Sequence, residues 1–220
     1  FDITIAPLSE LWNFKSGDAV IPHEEKIQEM KEHVSYENII IDGNSVTLLD
    51  PDAALDLGGI AKGYIADILK AFLMENGVRH ATVNLGGNVL VIGGKSDDTP
   101  FYIGIQKPFA RQNETIATLA LKDKSVVSSG IYERYFEKDD KIYHHILNPK
   151  TGYPYENNLY QVTIICQSSA DGDALSTACF AMGAEKGMEL INQLDNTEAV
   201  FITEDYELLY SANMEELLSN

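Results

Sequence analysis

Apolar positions along the chain follow two spacings, and most of the elements can be placed from them. The clearest helical stretch covers residues 59–76. Ile60, Tyr64, Ile68 and Phe72 recur at every fourth position, with Ile65, Leu69 and Leu73 beside them. Gly77 follows as a natural C′ residue. Residues 22–34 place Pro22 in a first turn with acids behind it, which predicts a surface helix. Two more helices are predicted over 171–182 and 184–194. Short apolar runs predict strands at 81–85, 89–92, 102–105, 116–121, 125–127, 142–147, 161–166, 199–203 and 207–210. Runs 39–41 and 46–49 flank Asp42-Gly43-Asn44 and read as a hairpin, because a tight turn needs positive φ and Gly supplies it. Strands outnumber helices and come in adjacent pairs. The expected fold class is therefore α+β, a mostly antiparallel sheet core with packed helices, rather than a doubly wound sheet.

At 220 residues, without internal repeats or a Pro-rich linker, the chain is expected to form a single domain over 1–220. Its 34 acidic residues against 16 basic ones leave a formal charge of -18. That balance argues against a nucleic-acid partner, which needs clustered Lys and Arg for phosphate contacts. It argues equally against adsorption to an anionic membrane surface. No stretch approaches the roughly 18 apolar residues of a membrane span, so no transmembrane segment is expected in this chain. An anionic substrate would need a bound cation or backbone N–H groups to hold it. The two cysteines, Cys166 and Cys179, sit in apolar runs and read as buried small hydrophobes rather than a disulfide framework.

Several motifs are candidates for chemistry. In Asp171-Gly172-Asp173-Ala174-Leu175-Ser176-Thr177, Asp173 and Thr177 stand at i and i+4 of a helix, so their oxygens share one face. Such a pair suits a hard cation such as Mg²⁺. It equally suits an acid complementing a helix start and a Thr bonded back to a carbonyl. Asp56-Leu57-Gly58-Gly59-Ile60-Ala61-Lys62-Gly63 turns into a helix through two glycines and offers free N–H groups to a phosphate, or is only a turn. Its spacing fits neither a P-loop nor a Rossmann fingerprint. Lys62 is unfavourable in a first turn, which implies some other partner. Gly86-Gly87 between two strands is a hairpin turn or a floor for a ring or phosphate. His144-His145 lie on one strand and point to opposite faces, so they make no zinc site; one can face a site as a general base, or an inward His can bond to backbone. Ser128-Ser129-Gly130 lacks the nucleophile elbow of a serine hydrolase. Trp12, the sole Trp, is a core anchor or a surface for an aromatic ring.

The motifs FDITIAPLSELWNF, DLGGIAKGYIAD, NLGGNV, SSGIYER, HHILNPKTGYP and DGDALSTACFAMG, in this order from Phe1 to about Gly183, resemble the FAD:protein FMN transferase family, the ApbE flavin transferases. The resemblance implies a T-fold-like architecture and a reaction in which FAD is cleaved at its pyrophosphate. FMN is joined to a Ser or Thr hydroxyl of an acceptor protein, and AMP leaves. It implies Mg²⁺ held by Asp173, Thr177 and a backbone carbonyl, that of Gly59. It implies flavin contacts from Trp12, Asn13 and Phe14, from Asp56 and Lys62, and from His145 and Ile146, with His145 as the base. Family members commonly carry Gly at the position of Asn13, Ala at that of Gly59 and Asp at that of Asn148. They also carry a further N-terminal portion, a lipobox or signal followed by a first strand and helix, so an extracytoplasmic, lipid-anchored location is expected. A metal-dependent FAD pyrophosphatase and a non-catalytic flavin-binding protein are the alternative readings.

Overall fold

The computed structural model of the chain describes residues 2–14 and 20–219; Phe1, which opens the first motif, lies outside them. In chain order the elements are α1 (Ala6–Trp12), α2 (Glu24–Lys31), the hairpin β1 (Ile39–Asp42) and β2 (Ser45–Leu48), and α3 (Ala61–Glu75). Then come β3 (Ala81–Asn84), β4 (Asn88–Ile92), β5 (Phe101–Gln106), β6 (Thr115–Leu121), β7 (Ser125–Gly130), β8 (Tyr135–Lys138) and β9 (Lys141–His144). The chain closes with β10 (Leu159–Cys166), α4 (Ser169–Met182), α5 (Ala184–Ile191), β11 (Glu198–Thr203) and β12 (Leu208–Tyr210). They gather into two compact units, Phe1–Leu57 with Ile131–Glu156, and Gly58–Gly130 with Asn157–Asn220.

The second unit is built on a six-stranded sheet of order β12-β11-β10-β7-β4-β3, every ladder of it antiparallel. Its inner strands β10 and β11 are buried almost throughout and mostly apolar, because both faces are covered. On one face the hairpin β5–β6 packs Ile105, Leu119 and Leu121 with Val126, Ile165, Val200 and Ile202. On the other, α4 lies over β7 and β10, and α3 lies beside it with Ala66 against Leu90 and Ile92. Gly172 lets α4 sit close, since a Cβ there would come within 2.8 Å of Val127 Cγ2 and 3.0 Å of Cys166 Sγ. Cys166 and Cys179 are both buried, and burial pushes their thiols up to about 12 and about 11.

The first unit closes on Leu8, Trp12, Ile27 and Leu147, with Phe14, Phe136, Tyr143 and Tyr153 around them. Trp12 is 1% exposed and its indole N–H donates to the Gly152 carbonyl at 2.8 Å. Gly152 has φ +79, and a Cβ on it would meet Ile27 Cγ2 at 2.4 Å, so the turn can sit against the core only as glycine.

The structure departs from the sequence reading at four places. Residues 6–12 form α1, which at seven residues is under two turns and too short for an apolar stripe to recur more than once. Strand β8 was not expected; it pairs with β9 as a hairpin of mixed polar and aromatic residues. The strand predicted over 142–147 ends at His144, because the chain turns so that Leu147 keeps only an isolated bridge to Pro154. In α3 the four-apart stripe Tyr64, Ile68 and Phe72 is 60%, 50% and 59% exposed, while Gly63 and Ala66 are the buried positions. Small residues on that side admit a neighbouring helix backbone, which the larger apolar ones would hold off.

Candidate functional site

The centre of the site in the second unit is Asp173, on α4 and 3% exposed. Its Oδ2 accepts the Gly63 N–H at 2.9 Å. Gly63 is the third residue of α3, so this N–H is one of the first-turn donors that a helix cannot satisfy internally. Asp173 thus caps α3 through a residue 110 positions earlier, and takes an N–H that the helix itself leaves without a partner. Burial raises the carboxyl above the usual aspartate range, against the lowering effect of the Gly63 and Lys62 N–H groups and the Lys62 charge. One turn on, Thr177 Oγ1 lies 3.1 Å from Ser129 Oγ of β7, which is also 2.8 Å from Ser176 Oγ. If Thr177 donates to Ser129, its lone pairs remain for another partner.

This donor set fits a hard divalent cation. A nearly buried carboxylate whose ionised form is costly gains most from a positive charge beside it, and a carboxylate offers about four acceptor positions. Asp173 and Thr177 supply oxygens alone, as Mg²⁺ requires, and Gly59 stands in the turn that leads into α3. Lys62 Nζ donates to the Gly86 carbonyl at 3.0 Å, which accounts for a lysine in a first turn. Gly86 and Gly87 have φ +65 and +86 and form a two-residue hairpin loop closed by the Leu85 N–H to the Asn88 carbonyl at 2.8 Å. The DLGG and NLGG motifs therefore meet through Lys62.

In the first unit, Trp12 is a core residue whose ring stacks on Phe14, 5.7 Å between centroids with 2° between planes. Phe14 is half-buried, and Asn13 between them is exposed and left-handed, φ 45 and ψ 52. That conformation is one glycine adopts freely and asparagine tolerates. Asp56 donates its N–H to the Ile3 carbonyl at 2.8 Å and is half-buried. Ile146 is 6% exposed.

The two histidines have different environments. His144 is 5% exposed; its Nε2–H donates to the Tyr155 carbonyl at 2.9 Å, and its Nδ1 accepts the Ile146 N–H at 3.3 Å. Burial pushes its pKa down to about 4. His145, half-buried, donates from Nδ1 to the Arg134 carbonyl at 3.2 Å, so in the neutral ring the lone pair is on Nε2, the tautomer a base at Nε2 needs. His144 gives a stability prediction. The unfolded chain takes up its proton near pH 6.5 and the folded chain only near 4, so the contribution is whole above about 6.5 and fades as pH falls toward 4. Its size is about 3 kcal/mol. Chemical denaturation at pH 7 and pH 4.5 is expected to show a smaller loss of stability in His144→Gln than in the parent; equal losses would refute the assignment.

Among the described residues, one trio of His and carboxylates has ligand atoms all within 4.8 Å, namely His33, Asp50 and Asp52 in the first unit. The sequence did not single it out. His33 Nδ1 lies 2.8 Å from Asp50 Oδ2, and Asp50 Oδ1 accepts the Asp52 N–H at 2.9 Å. Asp50 holds the imidazole above its usual range and is itself held below the carboxylate range. Asp50 and Asp52 share one turn, and His33 is tied to it through Asp50. Three residues of the α3–α4 site were also missed: Gly63, Asp67 and Ser129. Only the GxxxD spacing on α3 hinted at the first two, and only the small-residue ending of β7 at the third.

The sequence model of the ApbE family matches residues 1–201. An FAD:protein FMN transferase of Klebsiella pneumoniae is 40% identical over 214 residues, 96% of this chain and 66% of the relative. One of Treponema pallidum is 32% identical over 229 residues, 97% of this chain and 63% of the relative. The chain thus spans slightly less than two thirds of the length of these relatives. A crystal structure of the ApbE protein from Thermotoga maritima superposes with a TM-score of 0.89 at 32% identity, covering 100% of this chain and 72% of that one. The flavinyl transferase ApbE of Pseudomonas stutzeri, in its apo form, superposes with a TM-score of 0.84 at 31% identity, covering 100% and 69%. By sequence over residues 1–201, and by a fold that superposes on solved ApbE proteins, the chain belongs to the ApbE family.

Proposed function

We propose that the chain transfers the FMN half of FAD to a Ser or Thr hydroxyl of an acceptor protein, in a Mg²⁺-dependent reaction that releases AMP. The observation that supports this most is the buried Asp173 carboxylate, one turn before Thr177 and against the first turn of α3. A protein of charge -18 has to neutralise a dinucleotide's diphosphate locally, and this is where oxygens and N–H groups converge. The names of the relatives agree with the reading. Asp173, Thr177 and the Gly59 carbonyl hold the cation. When bound, it neutralises diphosphate charge and polarises the phosphoryl oxygens. The positive end of the α3 dipole faces the same charge. Asn13, Phe14, Asp56 and Lys62 bind and orient the flavin nucleotide, with the buried Trp12 backing Phe14 and the buried Ile146 backing His145. His145 takes the proton of the acceptor hydroxyl at Nε2. The hydroxyl oxygen bonds to the FMN phosphorus as the bond to the AMP oxygen breaks, so the step is positioning, charge neutralisation and one proton transfer.

The test is mass spectrometry of a Ser/Thr-containing acceptor protein after incubation with FAD and Mg²⁺. An acceptor heavier by one FMN, with AMP in equal amount, is the expected result. Free FMN and AMP with an unmodified acceptor would instead mean that water is the acceptor, and FAD binding without AMP would mean a binding protein. His145→Ala is expected to leave FAD affinity within about threefold while slowing transfer by about 10²–10⁴, the usual worth of a general base. An unchanged transfer rate would remove His145 from the reaction.

A further inference from the structure

Asp67 lies one turn beyond Gly63 on α3, and its carboxylate faces the start of α4. Oδ1 accepts the Ser169 N–H at 2.9 Å, and Oδ2 accepts the Ala170 N–H at 3.0 Å and the Ser168 hydroxyl at 3.3 Å. Helix α4 already has a local cap, for Ser168 Oγ accepts the Asp171 N–H at 3.1 Å. One such cap is the ordinary provision for a helix start. The second cap comes from another helix, so it fixes where α4 begins relative to α3. Ser169 Oγ donates to the Asn88 side chain at 2.7 Å and ties the same turn to β4.

The pairing continues along the two helices. Asp67 meets Ser169, and one turn back on α3 Gly63 meets Asp173, one turn forward on α4. Between these points the backbones touch, since a Cβ on Gly63 would lie 2.2 Å from the Ser169 carbonyl oxygen. With both ends pinned and the middle in contact, α4 can neither slide nor rotate on α3. We infer that Asp67 is a positioning residue, acting through α4 to hold Asp173 against the α3 N-terminus with Thr177 on the same face. It touches neither the cation nor the nucleotide. The inference rests on the proposed reading of Asp173 and Thr177 as the cation-holding pair.

The experiment compares the full chain with Asp67→Asn, which is nearly isosteric but presents an NH₂ to a ring of donors, and with Asp67→Ala. Asn157→Ala is the matched control, because it removes the 2.6 Å bond from Asn157 to the Phe180 carbonyl near the other end of α4. Two quantities are read at a temperature where all are folded. One is hydrogen-exchange protection of the Gly63 amide without metal or FAD; the other is the Mg²⁺ concentration for half-saturation by calorimetry. Asp67→Asn is expected to lose at least tenfold in Gly63 protection and to need at least fivefold more Mg²⁺, while Asn157→Ala lowers Tm with neither change. Should Asp67→Ala not fold, Asp67→Asn carries the same readings. Gly63 protection in Asp67→Asn equal to that in Asn157→Ala would overturn the inference. Should the parent bind no Mg²⁺, the cation reading fails by itself, and Gly63 protection alone then decides whether Asp67 positions the pair.

Discussion

Asp173→Ala is expected to lower FMN transfer by at least a hundredfold at any Mg²⁺ concentration, a loss of about 2.7 kcal/mol or more in transition-state stabilisation. Two effects act together. The substitution removes the single buried carboxylate of the α3–α4 site, and it leaves the Gly63 N–H without its acceptor at the start of a helix. Asp173→Asn separates them, because its amide oxygen still accepts from Gly63 while the negative charge is gone. That variant is expected to be as inactive as the alanine one. Without metal it is also expected to be at least as heat-stable as the parent, since burial disfavours the charged form of the parent's carboxyl. Addition of Mg²⁺ is then expected to raise the Tm of the parent and not of Asp173→Asn. Transfer assays and thermal scans with and without Mg²⁺ decide the matter; a parent-like rate in either variant at limiting Mg²⁺ would refute the assignment.

Gly63→Ala is expected to have the largest effect on stability. Alanine in place of glycine normally favours a helix interior by up to about 1 kcal/mol. Here the new Cβ would meet backbone only, at 2.2 Å from the Ser169 oxygen, 2.6 Å from its carbonyl carbon and 2.7 Å from Ala170 Cα. No side chain can swing aside, so α4 as a whole has to move. Overpacking of this kind costs about 3 kcal/mol, which at this chain length lowers Tm by roughly 6–12 °C. The displacement also separates Gly63 from Asp173, so Mg²⁺-dependent transfer is expected to fall even where the variant is folded. A Tm equal to or above that of the parent would show that the helices can separate cheaply.

The parts of this arrangement that were legible in the sequence are those that repeat at short range. The extent of α3 followed from its four-residue apolar recurrence, the β3–β4 turn from Gly86-Gly87, and the shared face of Asp173 and Thr177 from their spacing on one helix. Lys62 was recognisable as out of place, although its partner, the Gly86 carbonyl 24 residues away, was not. What stayed hidden depends on which element lies against which. No local pattern tells that Asp67 caps a helix starting 102 residues later, or that Gly63 is a contact point rather than a flexible joint. The exposed stripe of α3 shows the same limit: periodicity gives a helix its length, and its neighbours choose its inner side. Between the two adjacent histidines, alternation showed only that they part; burial then made His144 a neutral structural group.

The indole of Trp12 bonds to a carbonyl 140 residues further along, and Leu8 and Ile27 share their apolar cluster with Leu147. During synthesis from the N-terminus, α1 and α2 therefore emerge without part of the surface they are to be buried against. They have to wait, exposed, while Gly58–Gly130 is being made. Closure over so long a span is slow in any chain, and the rate at which the Trp12 fluorescence reaches its native value would time the arrival of the Gly152 turn.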